Sequence, residues 1–230
     1  MRRINLLILT VPFIICLLSG CDALFHRNID EGRIVFEISY PKTEIGDVMA
    51  SMLPSEMHLR FKDNRTAGEL VAGMGLFQTS LIADPNTKVV YQLLKLMNKK
   101  YVVKSDSTEI KGLYSELPEM QVVKTNETKE IIGYKCKRAI VKFEGNIKEE
   151  FSIFYTEEIS IANSNWCTPF HDIKGVLLEY NVRKYNYEMK LEAVEIVKEE
   201  IDNSYFEIPD DYEIIGKEEM DKIFEGFKEI

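Results

Sequence analysis

The stretch Ile131–Tyr180, IIGYKCKRAIVKFEGNIKEEFSIFYTEEISIANSNWCTPFHDIKGVLLEY, decides the fold. Much of it repeats apolar residues at every second position, the period of a half-buried strand and not of a helix. Glu130–Phe143 reads as strand, and Gly145-Asn146 permits the positive φ that a tight hairpin needs. Phe151, Ile153 and Tyr155 then pair back, and Gly175–Val182 is a further strand. Between these last two lies a loop, Asn163–Pro169, that carries Cys167 and Trp166, the only tryptophan of the chain. Short strands joined by tight connections pair as antiparallel neighbours.

The same period extends outward in both directions. Ile34, Phe36, Ile38 and Tyr40 share one face of a strand at Arg33–Tyr40. Met57, Leu59 and Phe61 alternate with His58, Arg60 and Lys62, Asp63-Asn64 turns the chain, and Gly68–Ala72 and Phe77–Ala83 follow. Asp84-Pro85-Asn86-Thr87 is a type I turn signature. Beyond it, Val89, Tyr91, Leu93 and Val90, Leu94, Leu96 place apolar groups on both faces, so that strand is covered on both sides. Downstream, Tyr185, Tyr187, Met189, Leu191 and Ala193 form the inward face of the longest strand. There the parity switches to Val194 and Ile196, which predicts a β-bulge or an exchange of faces.

Three segments have helical spacing instead. Ile45, Val48, Met49, Met52 and Leu53 make an apolar stripe stopped by Pro54, and a stripe so wide must lie on the sheet, as core or as a lid. Ser105–Leu117 groups Ile110, Leu113, Tyr114 and Leu117. Residues 217–229 set Met220, Ile223, Phe224 and Phe227 against an acidic face, a helix suited to docking on the sheet. The expected fold is mainly β (α+β): eight to eleven antiparallel strands in a curved sheet or half-open β-barrel, with two or three covering helices. Strands that are apolar on both faces imply something in the concavity, either helices or a greasy ligand.

The first residues place this domain in a compartment. Arg2 and Arg3 precede an apolar run, Ile4–Leu18, and then Leu18-Ser19-Gly20-Cys21, the pattern of a secretory signal ending in small residues before a cysteine. The four residues resemble the lipobox of bacterial lipoproteins, which implies cleavage after residue 20 and acylation of Cys21. The other reading is an uncleaved anchor, but a spanning helix wants about 20 apolar residues and this run is shorter and holds Pro12. The expected division is a signal at 1–20, a lipidated tether at 21–31 and a single domain at 32–230. Two or more acyl chains anchor stably, so the protein would sit on a bilayer of the cell envelope, on the outer membrane facing the periplasm or at the cell surface.

Charge narrows the partners. The chain has 29 basic and 38 acidic residues, and loss of the signal removes two arginines and no acid, taking the net charge from −9 to −11. Such acidity argues against nucleic acid and against lying on anionic head groups. Of four cysteines, Cys16 leaves with the signal and Cys21 is the acylation site. Cys136 and Cys167 remain, and in an exported protein a leftover pair reads as a disulfide. Two buried thiols are the alternative, since cysteine is also a core residue.

The series Gly32–Pro41, Met74-Gly75 through Asp84, Lys88–Lys100, Gly133-Tyr134-Lys135-Cys136, Phe154-Tyr155-Thr156 and Phe206–Tyr212 resembles periplasmic and outer-membrane lipoproteins of Bacteroidetes related to the GLPGLI family. In layout it is also similar to carrier and receptor proteins of the outer-membrane lipoprotein pathway. The motif that names the GLPGLI family is absent, with Asp172–Glu179 in its place. The resemblance implies a half-open barrel with helical cover and an apolar interior that accepts acyl chains, and it implies no catalytic residues.

The chemistry-bearing residues do not assemble into a motif. His26, His58 and His171 have no HxH, HExxH or CxxC spacing, and a metal site needs three or four converging ligands. Adjacent acids such as Glu157-Glu158 point to opposite faces of a strand, and Gly73-Met74-Gly75 precedes a strand and not the helix of a phosphate loop. Cys167 and His171 evoke a thiol and its base only if the sulfur is unbridged. Neither an enzyme nor a cofactor is expected. Val48, Met49, Met52, Met57, Met97 and Met189 fall on apolar positions, where they either fill the core or line a pliable hydrophobic pocket. The expected function is a lipid-anchored envelope module that holds a hydrophobic ligand or lipidated partner in the concavity of the sheet. The alternative is a structural or interaction subunit of an envelope complex.

Overall fold

The computed structural model describes residues 28–41, 53–110, 120–143, 150–184 and 187–226. Twelve strands occur among them: β1 (Gly32–Ser39), β2 (Glu56–Lys62), β3 (Arg65–Ala72), β4 (Phe77–Asp84), β5 (Val89–Leu96), β6 (Lys99–Asp106), β7 (Met120–Ile131), β8 (Tyr134–Phe143), β9 (Glu150–Thr156), β10 (Val176–Lys184), β11 (Tyr187–Val197) and β12 (Glu213–Ile214). They form one sheet in the order β12-β6-β5-β4-β3-β2-β1-β11-β10-β9-β8-β7. Every neighbouring pair is antiparallel except the two-residue β12, which runs parallel to β6. The fold is therefore a mainly β, open curved sheet. Twelve strands are one more than the eight to eleven expected. Glu130–Phe143 is two strands, because Ile132 (φ 49°) and Gly133 (φ 76°) turn the chain as a tight hairpin between β7 and β8, and β12 is too short to leave an alternating pattern.

The period-two pattern explains which face is inward. Ile34, Phe36 and Ile38 of β1 lie beside Leu59 and Met57 of β2 and Leu191 and Ala193 of β11. With Phe61, Tyr134, Cys136, Val176 and Leu178 they form the largest buried cluster. Phe36 meets Tyr180 edge to face at 5.8 Å. The switch of parity after Ala193 is a bulge: Val35 pairs with Glu195 and Phe36 with Ala193, so Val194 has no partner on β1 and its side chain is exposed.

The C-terminal segment wraps the β6 edge. Ile201 and Phe206 cover Ala67, Ile82, Leu93 and Val102 on one face. β12 then pairs with β6, and α1 (Lys217–Gly226) lays Met220 and Phe224 on Leu94 and Val103 of the other face. This is why β5 is apolar on both sides: Leu94 is buried under the helix and Leu93 under the strap. Of the helix expected at Ser105–Leu117, Ser105 and Asp106 instead end β6, residues 107–110 are helical, and residues 111–117 lie outside the described residues, as do Ile45–Met52 and Gly145-Asn146.

The curl of the sheet follows from one connection. In the β9–β10 loop, Cys167 packs with Ala83 of β4 and Val90 of β5, while Phe170 packs with Ala139 and Val141 of β8 and Ile153 of β9. On a flat sheet β4 and β9 are six strand spacings apart, about 29 Å. Three residues of chain span at most about 11 Å. Both contacts are made only because the sheet bends around the loop. Ile159 and Ile161 of the same loop complete the central cluster.

Two expectations change here. Cys136 and Cys167 are not bridged: Cys136 sits in the central cluster and Cys167 with Ala83, Val90 and Ile110, both as buried thiols. The physical reason is directional, since each sulfur is enclosed by its own apolar neighbours, and burial pushes the thiols up, to about 12 for Cys136 and about 11 for Cys167. The end of the expected tether is docked: Ile29 is buried and bridges Ile159, Asn28 N donates to the Glu158 carbonyl (3.0 Å), and Ser160 N donates to the Ile29 carbonyl (2.8 Å).

Candidate functional site

The β9–β10 loop is held in an irregular path by its own polar groups. Asn165, buried, donates through Nδ2 to the carbonyls of Ile173 and Gly175, each at 2.8 Å. Ser164 Oγ donates to the same Gly175 carbonyl at 2.8 Å, and Thr168 Oγ1 donates to the Asn165 carbonyl at 3.0 Å. Asn64, in the β2–β3 turn, accepts from Ala162 N at 2.7 Å and ties the loop to the opposite wall. Gly175 ends the loop at φ +133°, where an added Cβ would lie 2.6 Å from the Thr156 carbonyl oxygen.

Beside this loop lies an open cavity of about 1400 Å³, reached also by the β4–β5 turn, residues 107–110 and the start of β7. Its buried lining is Ile110, Ile159, Ile161 and Ile173 together with Asn165, whose amide is spent on loop carbonyls. Trp166 is half-buried on its wall, and Lys88, His171 and Lys174 are exposed at its rim. Lys88 Nζ stands 4.9 Å from the centre of the Trp166 ring. Glu157, also at the rim, is paired with Lys137 at 2.8 Å. Asn64, Ser107, Ser160, Asn163 and Thr168 also line it, so apolar and polar groups are mixed around the cavity; a small-molecule site likewise combines apolar lining with placed polar groups.

The expected methionine pocket is placed only in part. Met57 and Met189 are half-buried and pack on the central cluster. Met97 does not join them: it occupies the tight turn between β5 and β6 at φ 54° and is 64% exposed. Its apolar identity fitted the strand pattern, but a two-residue turn takes its side chain off the sheet. Val48, Met49 and Met52 lie outside the described residues, as does Cys21. The cavity is instead built by loop residues 157–175, whose aperiodic sequence carries no strand or helix signal. Trp166 and Gly175 were its visible markers.

Reactive chemistry finds no geometry at this cavity. Cys167 is buried with its thiol raised to about 11, whereas His171 is exposed and lies 3.8 Å from Asp172. His58 is 3.5 Å from Glu56, on β2. Among the described residues no group of three His, Cys, Asp or Glu side chains could hold a metal ion, and no helix is long and apolar enough to cross a membrane.

A family model described as "N-glycanase peptide, N-terminal domain" matches residues 75–213, more than half of the chain. The chain belongs to this family. The matched span of the N-glycanase peptide N-terminal domain begins just before β4 and ends in β12, so it contains the whole cavity loop and lacks β1–β3. Among solved structures, the crystal structure of LprF from Mycobacterium bovis is similar over 80% of this chain and 90% of that chain, with 8% identity and a TM-score of 0.29. The search of curated proteins gives no match.

Proposed function

We propose that the protein is a non-enzymatic, lipid-anchored binding module of the cell envelope, held to a bilayer through acylated Cys21, that takes a ligand with a hydrophobic body into the cavity beside the β9–β10 loop. The single observation that carries this reading is the cavity itself, about 1400 Å³ and open, with four isoleucines among its five buried lining residues. At about 25 cal/mol per Å² of apolar surface, a drug-sized aliphatic body that buries most of its surface there gains several kcal/mol. A lipidated partner would meet the same requirement through its acyl chain.

The test is native mass spectrometry of the full chain purified from membranes, with solvent extraction of whatever accompanies it. A discrete adduct that Ala162→Trp, placed at the cavity, removes is the expected result. A chain free of any adduct, with no gain in melting temperature from added long-chain amphiphiles, contradicts the reading. Family membership favours a second reading, a recognition module for glycan-bearing peptides, in which Trp166 stacks on a sugar ring. Binding of glycopeptides and not of amphiphiles would select it.

A further inference from the structure

The cavity's rim departs from the charge of the rest of the molecule. The chain is acidic, with net charge −9, yet the titratable residues that line this cavity are Lys88, His171, Lys174 and Glu157. Glu157 is already paired with Lys137. Against the chain's average, the mouth therefore offers two lysines and no uncommitted carboxylate among the described lining residues. Lys88 is also positioned. It closes the β4–β5 turn with φ +56°, a left-handed conformation uncommon for a side-chain-bearing residue, and its N–H donates to the Asp84 carbonyl at 3.0 Å. That turn, fixed further by Asn86 N donating to Asp84 Oδ1 (2.8 Å), carries the ammonium to 4.9 Å from the Trp166 ring. Trp166 is in turn packed on Ala83, Val90 and Ile110. A cation thus stands on an aromatic wall directly beside aliphatic lining, and such an arrangement suits a ligand whose two ends differ.

Resting on the reading of the cavity as a ligand site, we infer that its ligand is an amphipathic anion: an aliphatic chain against Ile110, Ile161 and Ile173, with a carboxylate or phosphate head group received by Lys88 at the Trp166 corner. A charged head recruits a charge-assisted hydrogen bond, which a neutral amphiphile of equal length does not. The interaction with the Trp166 face also orients Lys88 before binding.

Trp166 is the only tryptophan, so its fluorescence reports on this corner alone. The full chain is titrated with dodecanoate, dodecyl phosphate, dodecanol and inorganic phosphate, each below its micellar concentration, with calorimetry in parallel. The expected result is saturable binding of both anionic amphiphiles, about tenfold weaker binding of dodecanol, and none of inorganic phosphate. Lys88→Ala weakens the anionic amphiphiles by about tenfold and leaves dodecanol unchanged, while Lys88→Arg restores them. Equal binding of dodecanol and dodecanoate overturns the head-group assignment and leaves the cavity reading standing. Binding of inorganic phosphate as tight as that of dodecyl phosphate overturns the amphipathic ligand. No response to any amphiphile overturns the cavity reading together with the inference. Lys99→Ala, on β6 and outside the cavity lining, is the control for nonspecific loss of charge, and an effect equal to that of Lys88→Ala would remove Lys88 from its specific role.

Discussion

Replacing Phe170 by alanine tests whether the β9–β10 loop fastens the curl of the sheet. Phe170 is 4% exposed and packs among Ala139, Val141, Ile153, Tyr155, Ile173 and Leu177. Its ring also meets that of Phe151 at 6.2 Å, nearly perpendicular. Truncating a buried phenylalanine costs about 3–5 kcal/mol through lost transfer energy and the cavity left behind. The edge-to-face contact is part of that loss, so about 4 kcal/mol is the working figure. For a chain of this size each kcal/mol lowers the melting temperature by about 2–4 °C, which gives a fall on the order of 10 °C. Urea unfolding followed by circular dichroism measures the free energy, and Trp166 fluorescence in the same samples reports on the part of the loop that faces β4 and β5. The Phe170 side anchors to β8 and β9, and Cys167 with Trp166 anchors to β4 and β5, so the variant should also loosen the Trp166 environment in the native state. A loss below about 1 kcal/mol, with an unchanged tryptophan spectrum, refutes the idea that this loop staples the two sides.

The remaining predictions concern other parts of the sheet. Peptide mapping after alkylation without reduction should find Cys136 and Cys167 both labelled in denaturant and both protected in the folded chain, since burial raises their thiols to about 12 and about 11; a disulfide-linked peptide pair would contradict the structure. At Glu179, burial raises the carboxyl, but hydrogen bonds from Lys129 (2.5 Å) and Lys190 (3.0 Å) outweigh it and hold it below the usual 4.5. A depressed carboxyl contributes stability that is full above its unfolded value and lost as pH falls through its folded value. Glu179→Gln should therefore cost roughly 1–3 kcal/mol at neutral pH in urea unfolding, and this gap should shrink as pH drops below 4.5; a gap constant down to pH 3 would deny the ion pairs their role. Gly175→Ala, whose Cβ meets the Thr156 carbonyl oxygen at 2.6 Å, should destabilise well beyond Gly133→Ala, which meets nothing within 4 Å and costs only about 1 kcal/mol for its positive φ. Equal melting temperatures for the two variants would count against the tight loop end.

The strands were legible because burial on one face writes itself into every second residue. Ile34, Phe36 and Ile38 of β1, the covered β5 and the bulge at Val194 were all visible in this way. So was the C-terminal helix, whose Met220 and Phe224 are buried as its stripe requires. The hairpin at Ile132-Gly133 was missed because Ile132, in a positive-φ turn, keeps the apolar character of a strand residue. The pairing of Cys136 with Cys167 was misjudged because cysteine counting carries no direction: each sulfur is enclosed by its own cluster. Least legible was the cavity. Its lining comes from a loop shaped by Asn165, Ser164 and Thr168 hydrogen bonds and from turns far apart in the chain, and only the curl brings Lys88 to Trp166.

The most direct test of a ligand site beside the β9–β10 loop is a crystal structure of the full chain soaked with 12-bromododecanoate, read by the anomalous signal of bromine. One bromine peak is expected among Ile110, Ile161 and Ile173, with the carboxylate at Lys88. A bromine on the outer face of the sheet, or none at any defined position while the cavity holds only solvent, would contradict it.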